Sequence, residues 1–420
     1  MNRSSERILT THTGSLIRPP EIIEGMKART LGQPYDWDAL EVAIAKGIKD
    51  VVRAQVQVGI DIPNDGEFAR RGFTTYIHER LAGLEPRGLD SGEKNPLDQH
   101  GHQLERLAFP EFYEQHDKVY RFIWMHPSVS MDEMKNIRGK SELFRLTGPI
   151  SYRGKAYVQR DIDRLRTALD GLQVSDAFIT AVTPTTERKD EGVLDHYPNR
   201  QAYLYALADA LHEEYAAITD AGFILQLDRP AQNPVLNLSA DEVQREMELG
   251  VEIVNHALRG IPEERVRSHW CGGSGNRPHI QDIPLRAVVS TMLKMNVQAY
   301  GFEAANPRHE HEVQIWEDVK LPDGKIIIPG LISQSTNVVE HPELIAWRLK
   351  NFARLVGKEN IIAGADCGFS QDWDLIRVHP SIQWAKLQAL VDGAALASAE
   401  LWGRTSIDRQ PVQASGARGA

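Results

Sequence analysis

Nine short apolar, β-branched runs, separated by stretches with helical periodicity, constrain the fold of this chain more than any other feature. They span Ile8 to Thr13, Ile60 to Asn64, Leu143 to Thr147, Ala177 to Val182, Phe223 to Asp228, Val266 to Cys271, Val297 to Glu303, Ile326 to Ser333 and Ile361 to Cys367. Between them, Leu40 to Val58, Arg200 to Ala221, Ala240 to Leu258 and His341 to Val356 carry apolar residues three and four apart, the spacing of a helix with one buried face. Such alternation specifies an α/β fold with a parallel sheet and helical crossovers. No glycine-rich dinucleotide fingerprint follows the first run, which favours a (β/α)8 TIM-type barrel over an open doubly wound sheet, although nine runs are one more than eight staves require.

The rhythm breaks between Glu85 and Lys140, where charge, proline, histidine and aromatic residues lack a period. We expect 85–140 to be an insertion after the second strand, either a lid over the catalytic face or a plain surface excursion. A single catalytic barrel is expected over 1–403, and the small, polar residues 404–420 read as a disordered tail. Lys and Arg total 48 against 58 Asp and Glu, a net charge of -10, and no basic block occurs, which disfavours nucleic acid and anionic membranes as partners. No stretch approaches the roughly 18 apolar residues of a membrane span, and the amino terminus lacks the apolar core of a secretion signal. With only two cysteines, a disulfide scaffold is excluded and a reducing, cytoplasmic location is expected. A homo-oligomer is allowed, since the sequence does not fix the oligomeric state.

Both cysteines fall at strand ends. In His269-Trp270-Cys271 the first and third side chains point to one side of a strand and can address one metal ion. Glu303 ends the next run and Cys367 the last, so N, S, O and S donors lie at carboxyl ends of strands, the catalytic face of a barrel. Thiolate with imidazole selects Zn2+ over magnesium or calcium. The bland alternative is that each cysteine is a small buried hydrophobe. In Asn306-Pro307-Arg308-His309-Glu310-His311-Glu312, His309 and His311 read as a second metal pair, an acid–base pair or a solvated loop.

Taken in order, these residues resemble the cobalamin-independent methionine synthase family in its short, catalytic-barrel-only form. The resemblance runs from Thr11 to Phe369 and rests on Thr11-His12-Thr13-Gly14-Ser15-Leu16, Asp65-Gly66-Glu67, Leu146-Thr147-Gly148-Pro149, Leu225-Gln226-Leu227-Asp228, and the four donors His269, Cys271, Glu303 and Cys367. It implies that these four hold zinc, that Thr13, Gly14 and Ser15 meet the acceptor's carboxylate end, and that Glu67 and Asp228 hold its amino group. The implied activity is zinc-dependent methyl or alkyl transfer: a small homocysteine-like thiol, the acceptor, is activated as a zinc thiolate and alkylated on sulfur by a methyl or alkyl donor. An epoxide- or other alkyl-donor thiol transferase like epoxyalkane:coenzyme M transferase, or a metal-free barrel decarboxylase or lyase, is the alternative. Two positions depart from the family. Arg229 follows Asp228 where the family has Glu, which suits an anionic group on a substrate or a solvent-facing ion pair. Ser333-Gln334-Ser335 replaces an Asp-x-His pair assigned to proton delivery, so the donor is left open.

Overall fold

The computed structural model describes residues 1–87, 103–115, 143–186, 192–230, 240–272, 275, 277–280 and 282–403. Seven strands form one curled parallel sheet: β1 Leu9–Thr10, β4 Phe178–Val182, β5 Ile224–Pro230, β6 Val266–Cys271, β7 Ala299–Phe302, β8 Ile326–Ile332 and β9 Ile362–Ala365, in the order β1-β9-β8-β7-β6-β5-β4. Residues 60–64 lie in the gap between its edges. Ile62 bridges Thr11 in parallel, and Phe178 N donates to Pro63 O at 3.1 Å. This second predicted run never becomes a full ladder strand for a local reason: Pro63 has no N–H, and Asn64 N donates instead to Gln55 Oε1 at 3.0 Å.

Inside the curl, Leu9, Ile62, Phe178, Ile224, Ala299, Ile326, Ile328 and Ile362 form a separate buried cluster, supplied by alternate inward positions of the staves. β6 contributes a cation at this depth. Arg267 lies 3.6 Å over the Phe178 ring and donates to Gln226 Oε1, Thr11 Oγ1 and His12 O at 2.8–3.0 Å. The larger core lies outside the sheet, beneath helices α1 Pro20–Leu31, α2 Trp37–Val58, α3 Lys155–Leu169, α4 Arg200–Asp220, α5 Ala240–Ala257, α6 Leu285–Met292, α7 Pro342–Val356 and α8 Pro380–Leu401. Their ends follow local chemistry. Asp36 and Asn199 accept at the amino ends of α2 and α4, prolines open α1, α7 and α8, and Gly59 ends α2 at φ 104. No helix among the described residues is long and apolar enough to cross a membrane.

The predicted run Leu143 to Thr147 is a strand but not a barrel stave. It opens β3 Leu143–Tyr152, which pairs antiparallel with β2 Leu81–Arg87 in a separate two-stranded sheet. The run's apolar character suits either setting, and periodicity does not name a partner. Gly83 decides the close approach: it sits at φ 84, and a Cβ there would lie 2.6 Å from the carbonyl oxygens of Gly148 and Pro149. The inferred insertion 85–140 lies largely outside the described residues. Its described part holds two short helices, Gln103–Ala108 and Pro110–Gln115, and Glu105 there is buried against Arg277 at 2.7 Å. The tail 404–420 also lies outside the described residues.

Candidate metal centre

β6 delivers His269 and Cys271 to one side of the sheet, as the two-residue repeat of a strand requires. In the ladder His269 lies between Asp228 on β5 and Gly301 on β7. Gly301 leaves the imidazole its room, since a Cβ there would stand 3.2 Å from Ser268 O and 3.5 Å from His269 Nδ1. Cys367 follows β9, and its sulfur lies 3.2 Å from that of Cys271; neither cysteine is in a disulfide. One donor atom from each of His269, Cys271 and Cys367 falls within 4.8 Å of the others. Residues 96 positions apart thus meet at the carboxyl ends of β6 and β9.

The fourth predicted donor, Glu303, stands beside this triad rather than within it. Its Oε1 accepts from Cys271 Sγ at 3.3 Å and from Gly272 N at 2.7 Å, and its Oε2 accepts from Asn306 Nδ2 at 2.7 Å. Asn306 also donates to Asp366, whose other oxygen accepts from Ala304 N and Ala305 N at 2.8 Å. Gln371 donates to Cys367 Sγ at 3.5 Å and to Gly368 O at 2.9 Å. Asn306, Asp366 and Gln371 orient the donors; Asp366 and Gln371 were not singled out from sequence, and Asn306 only as the start of the cluster around His309 and His311. Asp366 directly precedes Cys367, but its role depends on Asn306 and on the Ala304 and Ala305 amides, some 60 residues away in the chain, so adjacency carried no signal for it.

The electrostatics fit a cation. The Cys271 thiol holds Cys367 well below the ordinary thiol pKa against the opposing effect of burial, with help from His269. Burial depresses the His269 imidazole, but Cys367, Asp228 and Glu303 outweigh it and raise its pKa. Burial, reinforced by Asp366 and Cys367, lifts Glu303 to about 8. Two sulfurs at this separation can both reach an ion bound at about 2.3 Å from each, and an S, S, N donor set is that of zinc.

Buried polar side chains, among them Thr13, Ser15, Glu67 and Asp228, lie next to the triad. Thr13 donates from Oγ1 to Ala365 O at 2.9 Å, and Ser15 O accepts from Phe369 N at 2.9 Å, tying the loop after β1 to the loop carrying Cys367. Glu67 holds a left-handed backbone at φ 60, unusual for a residue with a Cβ and fixed by Asp65 Oδ1 accepting from its N–H at 2.9 Å. This turn aims the Glu67 carboxylate at Gly14. Its Oε1 accepts from Thr180 at 2.9 Å, whereas its buried Oε2 has no hydrogen-bond partner among the described residues. Burial, opposed by His269, lifts Asp228 to about 7, and its Oδ1 accepts from Gln226 at 2.7 Å. Arg229 pairs with Trp270 in the ladder; its side chain lies outside what the structure describes.

His309 and His311 do not converge. His309 is buried, with Nδ1 2.8 Å from Glu312 and Nε2 3.4 Å from Asp282, while His311 is exposed on the 3-10 turn Glu310–Gln314. Ser333 and Ser335 hydroxyls pair at 2.8 Å, and Ser333 N donates to Glu340 at 2.8 Å.

Gly14 supplies the first test. At φ 140 a Cβ would sit 2.7 Å from Glu67 Oε1 and 2.8 Å from Thr180 Cγ2. Gly14→Ala is expected to weaken acceptor binding by about tenfold or more, the effect of displacing one charge-assisted contact, and to leave the metal content unchanged. Metal analysis beside a steady-state KM measures both; lost metal would show that the loop supports the triad instead.

Comparison with known proteins follows the same residues. The family model for the catalytic domain of cobalamin-independent synthases matches residues 180–383, which include all four predicted donors. A methionine synthase of Sulfurisphaera tokodaii is 24% identical over 396 residues, covering 93% of each chain. An uncharacterized Bacillus subtilis protein, YxjH, is 22% identical over 403 residues, covering 91% of this chain and 92% of its own. The solved structure of a B12-independent methionine synthase from Shewanella, in complex with selenomethionine, shares the fold at a TM-score of 0.64 with 21% identity, covering 94% of this chain and 99% of the other. With the triad inside the matched domain and the relatives aligned along nearly the whole length, the chain is similar to the cobalamin-independent methionine synthases throughout and matches their catalytic domain over residues 180–383.

Proposed function

We propose that this protein is a zinc-dependent S-methyltransferase of the methionine synthase type, accepting the methyl group on a homocysteine-like thiol. The observation that carries the reading is the convergence of His269, Cys271 and Cys367 near the buried Glu67 Oε2, which has no hydrogen-bond partner among the described residues. His269, Cys271 and Cys367 would hold the metal, and Glu303 either joins them or remains on Gly272 and Asn306 as the acceptor enters. Zinc, when bound, supplies the positive charge that stabilises a thiol's sulfur as the anion at neutral pH. Glu67 and Asp228 take the acceptor's ammonium group, and the loop Thr13-Gly14-Ser15 approaches its carboxylate. The sheet with 60–64 in its gap is read as a complete (β/α)8 barrel, its carboxyl mouth the reaction face. A cytoplasmic location accords with two cysteines that form no disulfide.

Homocysteine added to cobalt-substituted protein tests the reading, because a new sulfur ligand produces a sulfur-to-cobalt charge-transfer band in the near ultraviolet. An unchanged spectrum at saturating homocysteine would overturn it. Glu67→Gln is expected to raise the acceptor KM about tenfold or more with zinc retained, because a charge-assisted contact to the ammonium is lost. An equal KM in variant and wild type would remove Glu67 from the acceptor site.

A further inference from the structure

Beyond Cys367 the chain makes a small hairpin, β10 Ser370–Asp372 with β11 Leu375–Ile376, and leaves it at Arg377. The hairpin fixes this arginine at its base: Arg377 N donates to Phe369 O at 3.1 Å and Nε donates to Gln371 Oε1 at 2.8 Å. Gln371 is the same residue that donates to Cys367 Sγ, so one amide side chain orients the guanidinium and touches the sulfur. The two terminal nitrogens of Arg377 have no hydrogen-bond or ion-pair partner among the described residues, and the side chain is half-buried.

A second arginine approaches from the other side. A Cβ on Gly275 would lie 3.7 Å from Arg377 Nη1 and 3.8 Å from Arg277 Cδ and Nε, so the two side chains meet over this glycine. Their charge balance differs. Arg277 is matched by Glu105 at 2.7 Å and Asp282 at 3.6 Å. Among the described residues Arg377 has no carboxylate at ion-pair distance: it is bonded to the neutral Gln371 amide and faces the charges of Cys367, Cys271 and, more weakly, Asp372. A planar fork with two unused N–H edges, held beside the metal triad and facing another cation, is matched to an oxyanion and to little else.

We infer that Arg377 is a specificity-determining residue that binds a carboxylate or sulfonate on the alkyl donor, next to the sulfur being alkylated. The assignment to the donor rests on the functional reading above, in which the acceptor's charged ends are already met by Glu67, Asp228 and the Gly14-Ser15 loop. A donor without an anionic group would leave the fork unsatisfied.

The two cysteines of the chain make the test independent of metal and of turnover. Zinc is first measured in the isolated full-length protein, then removed, and the rates of alkylation of Cys271 and Cys367 by iodoacetate and by uncharged iodoacetamide are followed by mass spectrometry. Relative to a free thiol in solution, wild-type protein is expected to favour iodoacetate by about tenfold or more, as one close, half-buried opposite charge provides. Arg377→Gln is expected to lose that preference with zinc content and iodoacetamide rate unchanged, and Arg377→Lys to keep part of it. Saturating homoserine, a sulfur-free acceptor analogue, is expected to leave the preference in place. Equal preferences in wild type and Arg377→Gln, or failure of both reagents to reach either sulfur, would overturn the proposal. Loss of zinc in Arg377→Gln would make the arginine a counter-ion to the metal site, and loss of preference with homoserine would move it to the acceptor; either result overturns the donor assignment. Failure of methyl transfer to homocysteine would bear on the functional reading alone.

Discussion

Cys367→Ser protein is expected to be isolated with zinc at or below about a tenth of wild type, and with methyl transfer reduced on the order of a thousandfold, because loss of a thiolate ligand exceeds the 10–100-fold typical of outer-sphere partners. The sulfur of Cys367 sits 3.2 Å from Cys271, and His269 completes the group, so one donor lost leaves two. Cys271→Ser should behave alike. Occupancy of wild-type zinc should also fall as pH is lowered, since imidazole and both thiols must shed protons to bind the ion. Metal analysis by mass spectrometry decides the matter. Full zinc in both serine variants would mean that the ion is held elsewhere and that the convergence is incidental.

Arg80→Leu is expected to destabilise the fold by about 3–5 kcal/mol, the cost of leaving buried charges without their partner. Arg80 Nη2 lies 2.6 Å from Asp161, Arg80 Nη1 lies 3.1 Å from Glu214, and all three side chains are buried. Tyr76 and Tyr152 hydroxyls donate to the same Glu214, at 3.2 and 2.6 Å. The network reaches Glu67. Arg70 stands 3.8 Å from Asp161 and donates to Thr180, which donates to Glu67. Burial opposes ionisation of Asp161, yet Arg80 and Arg70 outweigh it and hold its pKa below the usual value. The sign follows from linkage: a depressed folded pKa gives stability above the unfolded value of about 3.9, which is lost as pH falls through the folded one. Urea unfolding of wild type and variant at neutral pH measures the loss. A difference under about 1 kcal/mol would show that the cluster relaxes or hydrates freely, as exposed pairs do.

The strand Val266–Cys271 was legible to the residue because β-branched and aromatic positions end at a metal-type pair followed by glycines. The helices starting near Leu40, Arg200, Ala240 and His341 were legible from their apolar stripe, and each begins or ends within a few residues of its predicted bound. The helices Pro20–Leu31, Lys155–Leu169, Leu285–Met292 and Pro380–Leu401 were not singled out, the last because it is apolar on most sides and lacks a clear stripe. Leu143 to Thr147 was recognised as a strand, but that it is the surplus one of the nine was not, since its partner is chosen by the backbone contact at Gly83 and not by its own residues.

By itself the sequence determined the alternation of strands and helices, the helix ends, and the residue types that can hold zinc, because propensity, capping and side-chain period act within a few residues. Only the tertiary structure decided that His269, Cys271 and Cys367 meet, that Glu303 rests on Gly272 and Asn306 beside them, and that Arg377 is held by Gln371 with no ion pair among the described residues. Those facts depend on how far-separated strands are registered around one curled sheet, and on which side chains burial brings within hydrogen-bond reach, which no local pattern encodes.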